Sequence, residues 1–295
     1  ACIIRAPTPG TPGSTPAARG FFPASAGAMR AAHSAATSEM NGGASVVSHW
    51  SAAVMHGWPL YRMRPERVEM TIHGGRGTSQ NSGVRRHEDA LGDEDITLID
   101  GIACTTAERT VFDASRLLGM EAAVACADAA LRSATVEARS YDRTKADEWR
   151  EGLRERASRS RGSRGVRQAD RVIAFADGRA ELPGESVSRL QLTRLGFTDL
   201  DLQVPVASPR GGNYEVDIAI RQARTFWEFD GKGKYLEESK RSGKTVEEVV
   251  LDEKRREDWI RGRTQWRFCR GEDAHIATAS ALAKRLAAFG VHPPS

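Results

Sequence analysis

The period of the hydrophobic and polar positions changes several times along the chain, and each change predicts an element. Ser48 precedes the short run His49–His56, which stops at Gly57 ahead of Pro59; this pattern predicts a helix capped by Ser48. Strand-like stretches follow at Val68–His73, Gly83–His87, Ile96–Ile99 and Ile102–Cys104, with Gly74–Gly77 and Asp100-Gly101 as turns. Thr105, with Glu108 three residues on, reads as a capping box for a helix ending at Leu118 before Gly119. An Ala-rich helix, Met120–Ser133, comes next. Further on, a helical period returns over Gly184–Leu195 and stops at Gly196. Strands at Leu202–Val206, Tyr214–Ile220 and Thr225–Asp230 lead into a charged helix, Thr245–Arg261, then a strand at Gln265–Arg270 and a closing helix, Asp273–Phe289. The order α-β-β-β-α-β-α predicts an α/β fold, a mixed sheet covered by helices.

Four stretches emerge. Residues 1–44 are rich in Ala, Gly, Ser, Thr and Pro, bury too little to offset chain entropy, and read as a disordered tail. Residues 45–135 form a small α+β unit. Residues 136–178 hold ten arginines and few large apolar side chains, which predicts a helical linker with a frayed Ser/Gly centre. Its arginines either contact nucleic-acid phosphates or form a solvated face laced with Glu148, Glu151 and Glu155. Residues 179–295 make the second folded unit.

Candidate chemistry sits in Asn213–Tyr235. Alternation puts Glu215 and Asp217 on one face of the first strand, and Glu228 and Asp230 on one face of the second. If Ile220 pairs with Thr225, Asp217 lies opposite Glu228, a like-charge contact that destabilises a sheet unless a cation is held there. Magnesium, or manganese, suits one or two carboxylates with room left for water and a phosphate. Asp230 shares the face of Glu228, Glu185 sits in the first turn of its helix, and Lys232 and Lys234 follow on a glycine-flexed segment. A lysine there can hold the scissile phosphate or assist the attacking water. The alternative is a solvated edge on which Arg224, Lys232 and Lys234 partner the acids. Glycosidases also use paired carboxylates, but the basic balance and the lack of an aromatic sugar platform argue against one.

Charge supports a polyanionic partner: 43 Lys+Arg against 39 Asp+Glu gives +4, with a pI near 9.0. Four cysteines without CxxC spacing suit a reduced, cytoplasmic protein and argue against a zinc site. No apolar run has the length of a membrane helix. His49 and His56 share a helical face, where packing or capping outweighs a metal role. Arg109 and Asp113 are spaced as a helix ion pair, and Gly74–Gly77 lacks the Lys-Ser/Thr of a phosphate loop.

Five separated motifs, PGES (Pro183–Ser186), VD (Val216-Asp217), WEFDGKGKY (Trp227–Tyr235), EKRRED (Glu253–Asp258) and WRFCR (Trp266–Arg270), resemble a family of uncharacterised actinobacterial proteins. That family's C-terminal domain is similar to the very-short-patch-repair endonucleases of the PD-(D/E)xK superfamily. The resemblance covers about residues 182–289 and implies a restriction-endonuclease-like sheet, with Asp217 and Glu228 as metal-binding acids and Glu185 as the helix-borne acid. Arg256 then matches the arginine after the core strands, buttressing the site or binding DNA phosphate. Two departures stand out: Asp230 occupies the place of the superfamily's lysine, and Lys232 and Lys234 occupy the neighbourhood where repair relatives have histidine. Ser48–Pro59, Ser82–His87 and Cys104–Asp113 resemble antitoxin-like regulators of type IV toxin–antitoxin systems. Together these imply a Mg-dependent DNA endonuclease, or else an inactive, antitoxin-like DNA-binding regulator; a cognate toxin or a second copy is then a further partner.

Overall fold

The computed structural model describes residues 45–63, 67–72, 83–231, 243 and 245–294. Residues 1–44, the Gly74–Gly77 turn, Lys232 and Lys234 lie outside the described residues. The chain is mixed α/β, as the alternation of periods predicts.

The first unit builds a five-stranded sheet in the order β3-β2-β1-β5-β4, from β1 (Ser45–Val47), β2 (Val68–Ile72), β3 (Val84–Glu88), β4 (Ile96–Ile99) and β5 (Ile102–Thr105). Val47, Met70 and Cys104 are buried from three adjacent strands and join Ala52 and Met55 of α1 (His49–Met55) in one cluster. Strand β5 runs one residue longer than the alternation suggests, and this moves the next helix cap. Thr105 pairs with Ile96 at the strand end, its hydroxyl meets that of Thr110 at 2.6 Å, and α2 (Ala107–Leu117) starts after Thr106 without a side-chain cap bond. Ser48 likewise stands at the start of α1 without capping it, because its hydroxyl is taken by His49 Nδ1 at 2.8 Å.

Residues 136–178 are helical with a Ser/Gly turn in the middle, as expected, but they are no loose connector. After a two-strand hairpin, β6 (Val136–Glu137) and β7 (Ser140–Tyr141), the helices α4 (Arg143–Arg159) and α5 (Val166–Phe175) pack on α2 and on α3 (Met120–Thr135). Trp149, Leu153, Ala157, Val166, Ala169, Val172 and Ile173 recur at helical spacing and are buried in the same core as Val111, Phe112 and Leu131. The arginines between them take the outer face, where Arg154, Arg159, Arg164 and Arg167 are exposed.

The second unit opens with α6 (Pro183–Arg194) and has a four-stranded sheet in the order β11-β10-β9-β8. Its strands are β8 (Leu200–Ala207), β9 (Asn213–Ile220), β10 (Thr225–Phe229) and β11 (Arg267–Gly271). β8, β9 and β10 form an antiparallel meander, and α7 (Val246–Thr264) carries the chain over to β11, which pairs parallel with β10. Helix α8 (Ala279–Ala287) closes the unit; it is shorter than the expected Asp273–Phe289 because Thr278 caps it through Ala281 N–H. Leu192, Ile218, Trp227, Ile276, Leu282 and Leu286 fill the core beneath the sheet.

Candidate functional site

The β9–β10 register is the one the alternation requires: Ile220 pairs with Thr225, Ala219 with Phe226 and Ile218 with Trp227. The next step of the ladder brings Asp217 beside Glu228. Instead of a backbone pair, Asp217 Oδ2 accepts the Phe229 N–H at 2.8 Å. Glu228 is 1% exposed, so the solvated-edge alternative does not hold for it.

Two arginines meet Glu228 from different elements. Arg256 of α7 donates to Glu228 Oε1 at 2.7 Å and to Glu253 Oε1 at 2.9 Å, and also bonds the Glu215 carbonyl. Arg270 is the parallel-register partner of Glu228, and its Nη2 lies 3.3 Å from Glu228 Oε2. The same guanidinium reaches Glu253 at 2.5 Å and Glu257 at 3.2 Å. Burial alone would lower the Arg256 guanidinium, but its bond to Glu228 and the charges of Glu228, Glu253 and Asp217 outweigh that and raise it. Asp230 follows at the strand end. Its N–H donates to the Gly271 carbonyl at 2.8 Å, and Oδ2 stands 3.8 Å from Arg270 Nη1.

Glu185 enters from the start of α6. Pro183 occupies the first helical turn, where its missing N–H costs nothing, and Gly184 lets the helix end touch the sheet. A Cβ on Gly184 would fall 2.2 Å from the Phe229 ring. Glu185 is 3% exposed; its Oε2 accepts from the Glu181 N–H at 2.8 Å and from Gln203 Nε2 at 3.0 Å. Burial first, and then the neighbouring Asp217 carboxylate, push the Glu185 carboxyl well above its ordinary value. Gln203 lies between the pairs Leu202–Ile218 and Val204–Val216, level with Asp217 on the next strand, and holds a left-handed backbone with φ 51°.

The structure thus gathers Glu185, Asp217, Glu228, Asp230 and Arg256 around the C-terminal end of β10. Sequence reasoning missed Gln203, Arg270, Glu253 and Glu257 as members of this site, although the last three lie inside motifs that carried the resemblance. Among the described residues no helix is long and apolar enough to cross a membrane.

Histidine readings divide. His56 Nε2 bonds the Thr105 carbonyl at 2.8 Å and the ring stacks on Trp58, a packing role as expected. His49 instead joins Glu69 and His87 in a group whose ligand atoms all lie within 4.8 Å of one another and could hold a metal ion. The Arg109–Asp113 pair forms at 2.8 Å, and Arg109 also reaches Asp89 and Asp95.

Two proteins from different strains of Mycobacterium tuberculosis, both described only as uncharacterised, are each 28% identical to the chain over 247 residues. The match spans 76% of this chain and 80% of each relative. No family model and no solved structure matches.

Proposed function

We propose that the second unit is a divalent-cation-dependent DNA endonuclease, with Mg2+ (or Mn2+) held by Asp217 and Glu228 and supported by Glu185 and Asp230. The observation that carries this reading is the buried Glu185 carboxyl beside Asp217, raised by burial and by its neighbour's charge. A buried carboxyl beside a second, half-buried one is costly unless a cation or a proton offsets their repulsion. The donor set is all oxygen, which fits magnesium. Bound there, the ion supplies Lewis acidity towards a phosphate and a more acidic water. Arg256 is a buttress in this reading, since its guanidinium is engaged by Glu228, Glu253 and the Glu215 carbonyl. Arg270 adds a permanent positive charge near Asp230, where the superfamily pattern has lysine, but it cannot act as a base. Lys234, or Lys232, then acts on the phosphate or the water.

One observation favours a second reading, an inactive DNA-binding regulator. Both oxygens of Glu228 are faced by arginines, which closes an ionic lattice with no need of a metal. The two readings separate in one experiment: plasmid and mismatched duplex are incubated with Mg2+ or Mn2+ and wild type or Asp217→Ala. Metal-dependent nicking lost in the variant supports the nuclease. Salt-sensitive DNA binding that survives Asp217→Ala and Glu228→Ala, with no nicking by wild type, supports the regulator.

A further inference from the structure

A second group of ligand-bearing side chains lies in the first sheet, independent of the carboxylate site. His49 opens α1, Glu69 stands on β2 and His87 on β3. Parallel pairing sets Thr71 beside His87 and Glu69 beside Arg85, so Glu69 and His87 are diagonal neighbours on one face. His87 Nε2 bonds Glu69 Oε2, and the His49 and His87 rings stack with centroids 3.7 Å apart.

Several features read as preparation of a ligand set. His49 holds a left-handed backbone, φ 55°, a strained conformation for a non-glycine residue that recurs at functional sites. Its Nδ1 is engaged by the Ser48 hydroxyl at 2.8 Å, the kind of outer contact that orients a metal-binding imidazole and leaves Nε2 for the ion. Glu69 is an acid only 3% exposed, fixed through Oε1 by Arg85 Nη1 at 3.3 Å and through its N–H by Ser51 Oγ at 2.9 Å.

We propose that His49, Glu69 and His87 bind one transition-metal dication of the zinc class. Two imidazoles and a carboxylate favour such an ion over magnesium, which takes oxygen ligands. The cysteine count argued against zinc, but this ligand set needs no thiolate. Three protein ligands leave a fourth position open, as in catalytic rather than structural zinc sites. His49 and Glu69 line a cleft of about 510 Å³ together with Trp50, Tyr61, Arg62 and Arg85, and the two arginines suit an anionic fourth ligand.

The test uses metal-stripped full-length protein titrated with Zn2+ against a chromophoric chelator, with far-UV circular dichroism on every variant. In the Asp217→Ala background, which disables the carboxylate site, the protein binds one equivalent of zinc, and adding Glu69→Gln or His87→Ala costs at least about tenfold in affinity. Zinc also raises the melting temperature of wild type but not of His87→Ala. If His87→Ala fails to fold, His87→Gln takes its place. Absence of stoichiometric zinc binding by folded wild type, or undiminished affinity in the folded Glu69 and His87 variants, overturns the assignment.

Discussion

Glu185 carries a pH-dependent signature of its own. Its carboxyl is raised in the folded chain by burial and by Asp217, so the stability it contributes is complete below the ordinary glutamate value of about 4.3. That stability is lost as pH rises through the folded value. Glu185→Gln keeps an oxygen for the Glu181 N–H and for Gln203 while removing the charge. In chelator-treated protein its melting temperature should match wild type near pH 4 and exceed it at pH 7; an equal or lower value at pH 7 contradicts the burial account. Arg270 tests the other half of the site. Glu228, Glu253, Glu257 and Asp230 all lie within 4.0 Å of it, so Arg270→Met removes one of the two guanidiniums that face the buried Glu228 and should cost about 3 kcal/mol in urea unfolding. Glu228→Gln should cost less, because both arginines keep Glu253; equal losses would sink this asymmetry. Asp217 and Glu228 were legible because alternation and one antiparallel register fix them. Arg270 was not, since a parallel pairing made through a crossover leaves no local trace. Gln203 was hidden too, because nothing in composition marks a non-glycine residue for a left-handed backbone.

At the scale of elements, the contact of α6 with β10 depends on one missing methyl group. Gly184→Ala would drive a Cβ into the buried Phe229 ring, 2.2 Å from its nearest atom. Overpacking of this kind costs about 1–3 kcal/mol, more than the gain in helix propensity, and it displaces the helix that carries Glu185. Pairing Gly184→Ala with Phe229→Leu should restore part of the loss; a fully stable Gly184→Ala protein would contradict the close approach. The elements themselves were legible from their periods, including all four strands of the second sheet. The exception is local: the spacing of Thr105 and Glu108 suits a helix cap, but Thr105 pairs with Ile96 at the end of β5. Among so many arginines the Trp149, Leu153 and Ala157 stripe was hard to see, because a basic surface and a buried seam share the same helix. The histidine–glutamate group draws on three elements, and its partners are brought together by a parallel pairing that no short-range spacing records.

At the scale of the molecule, the two sheets are joined by helix packing. α3 lies along α6, and Arg189 grips both oxygens of the buried Asp128 at 3.0 and 3.1 Å. Arg132–Glu181 and Arg194–Glu121 flank that pair. On the outer face of α4, Arg154 and Arg159 pair with Glu151 and Glu155, the solvated face laced with acids, while the carboxylate site belongs to the second unit. The overall charge balance pointed to a polyanion, yet it could not say which surface meets it. The most direct measurement of the central claim is the rate of plasmid nicking by full-length protein in Mg2+ and in chelator, run side by side for wild type, Asp217→Ala and Glu185→Gln. Wild type should nick only with the ion present, with nicking at least about a hundredfold slower in Asp217→Ala and reduced in Glu185→Gln. Nicking of equal rate in wild type and Asp217→Ala, or none by folded wild type with either Mg2+ or Mn2+, would contradict it.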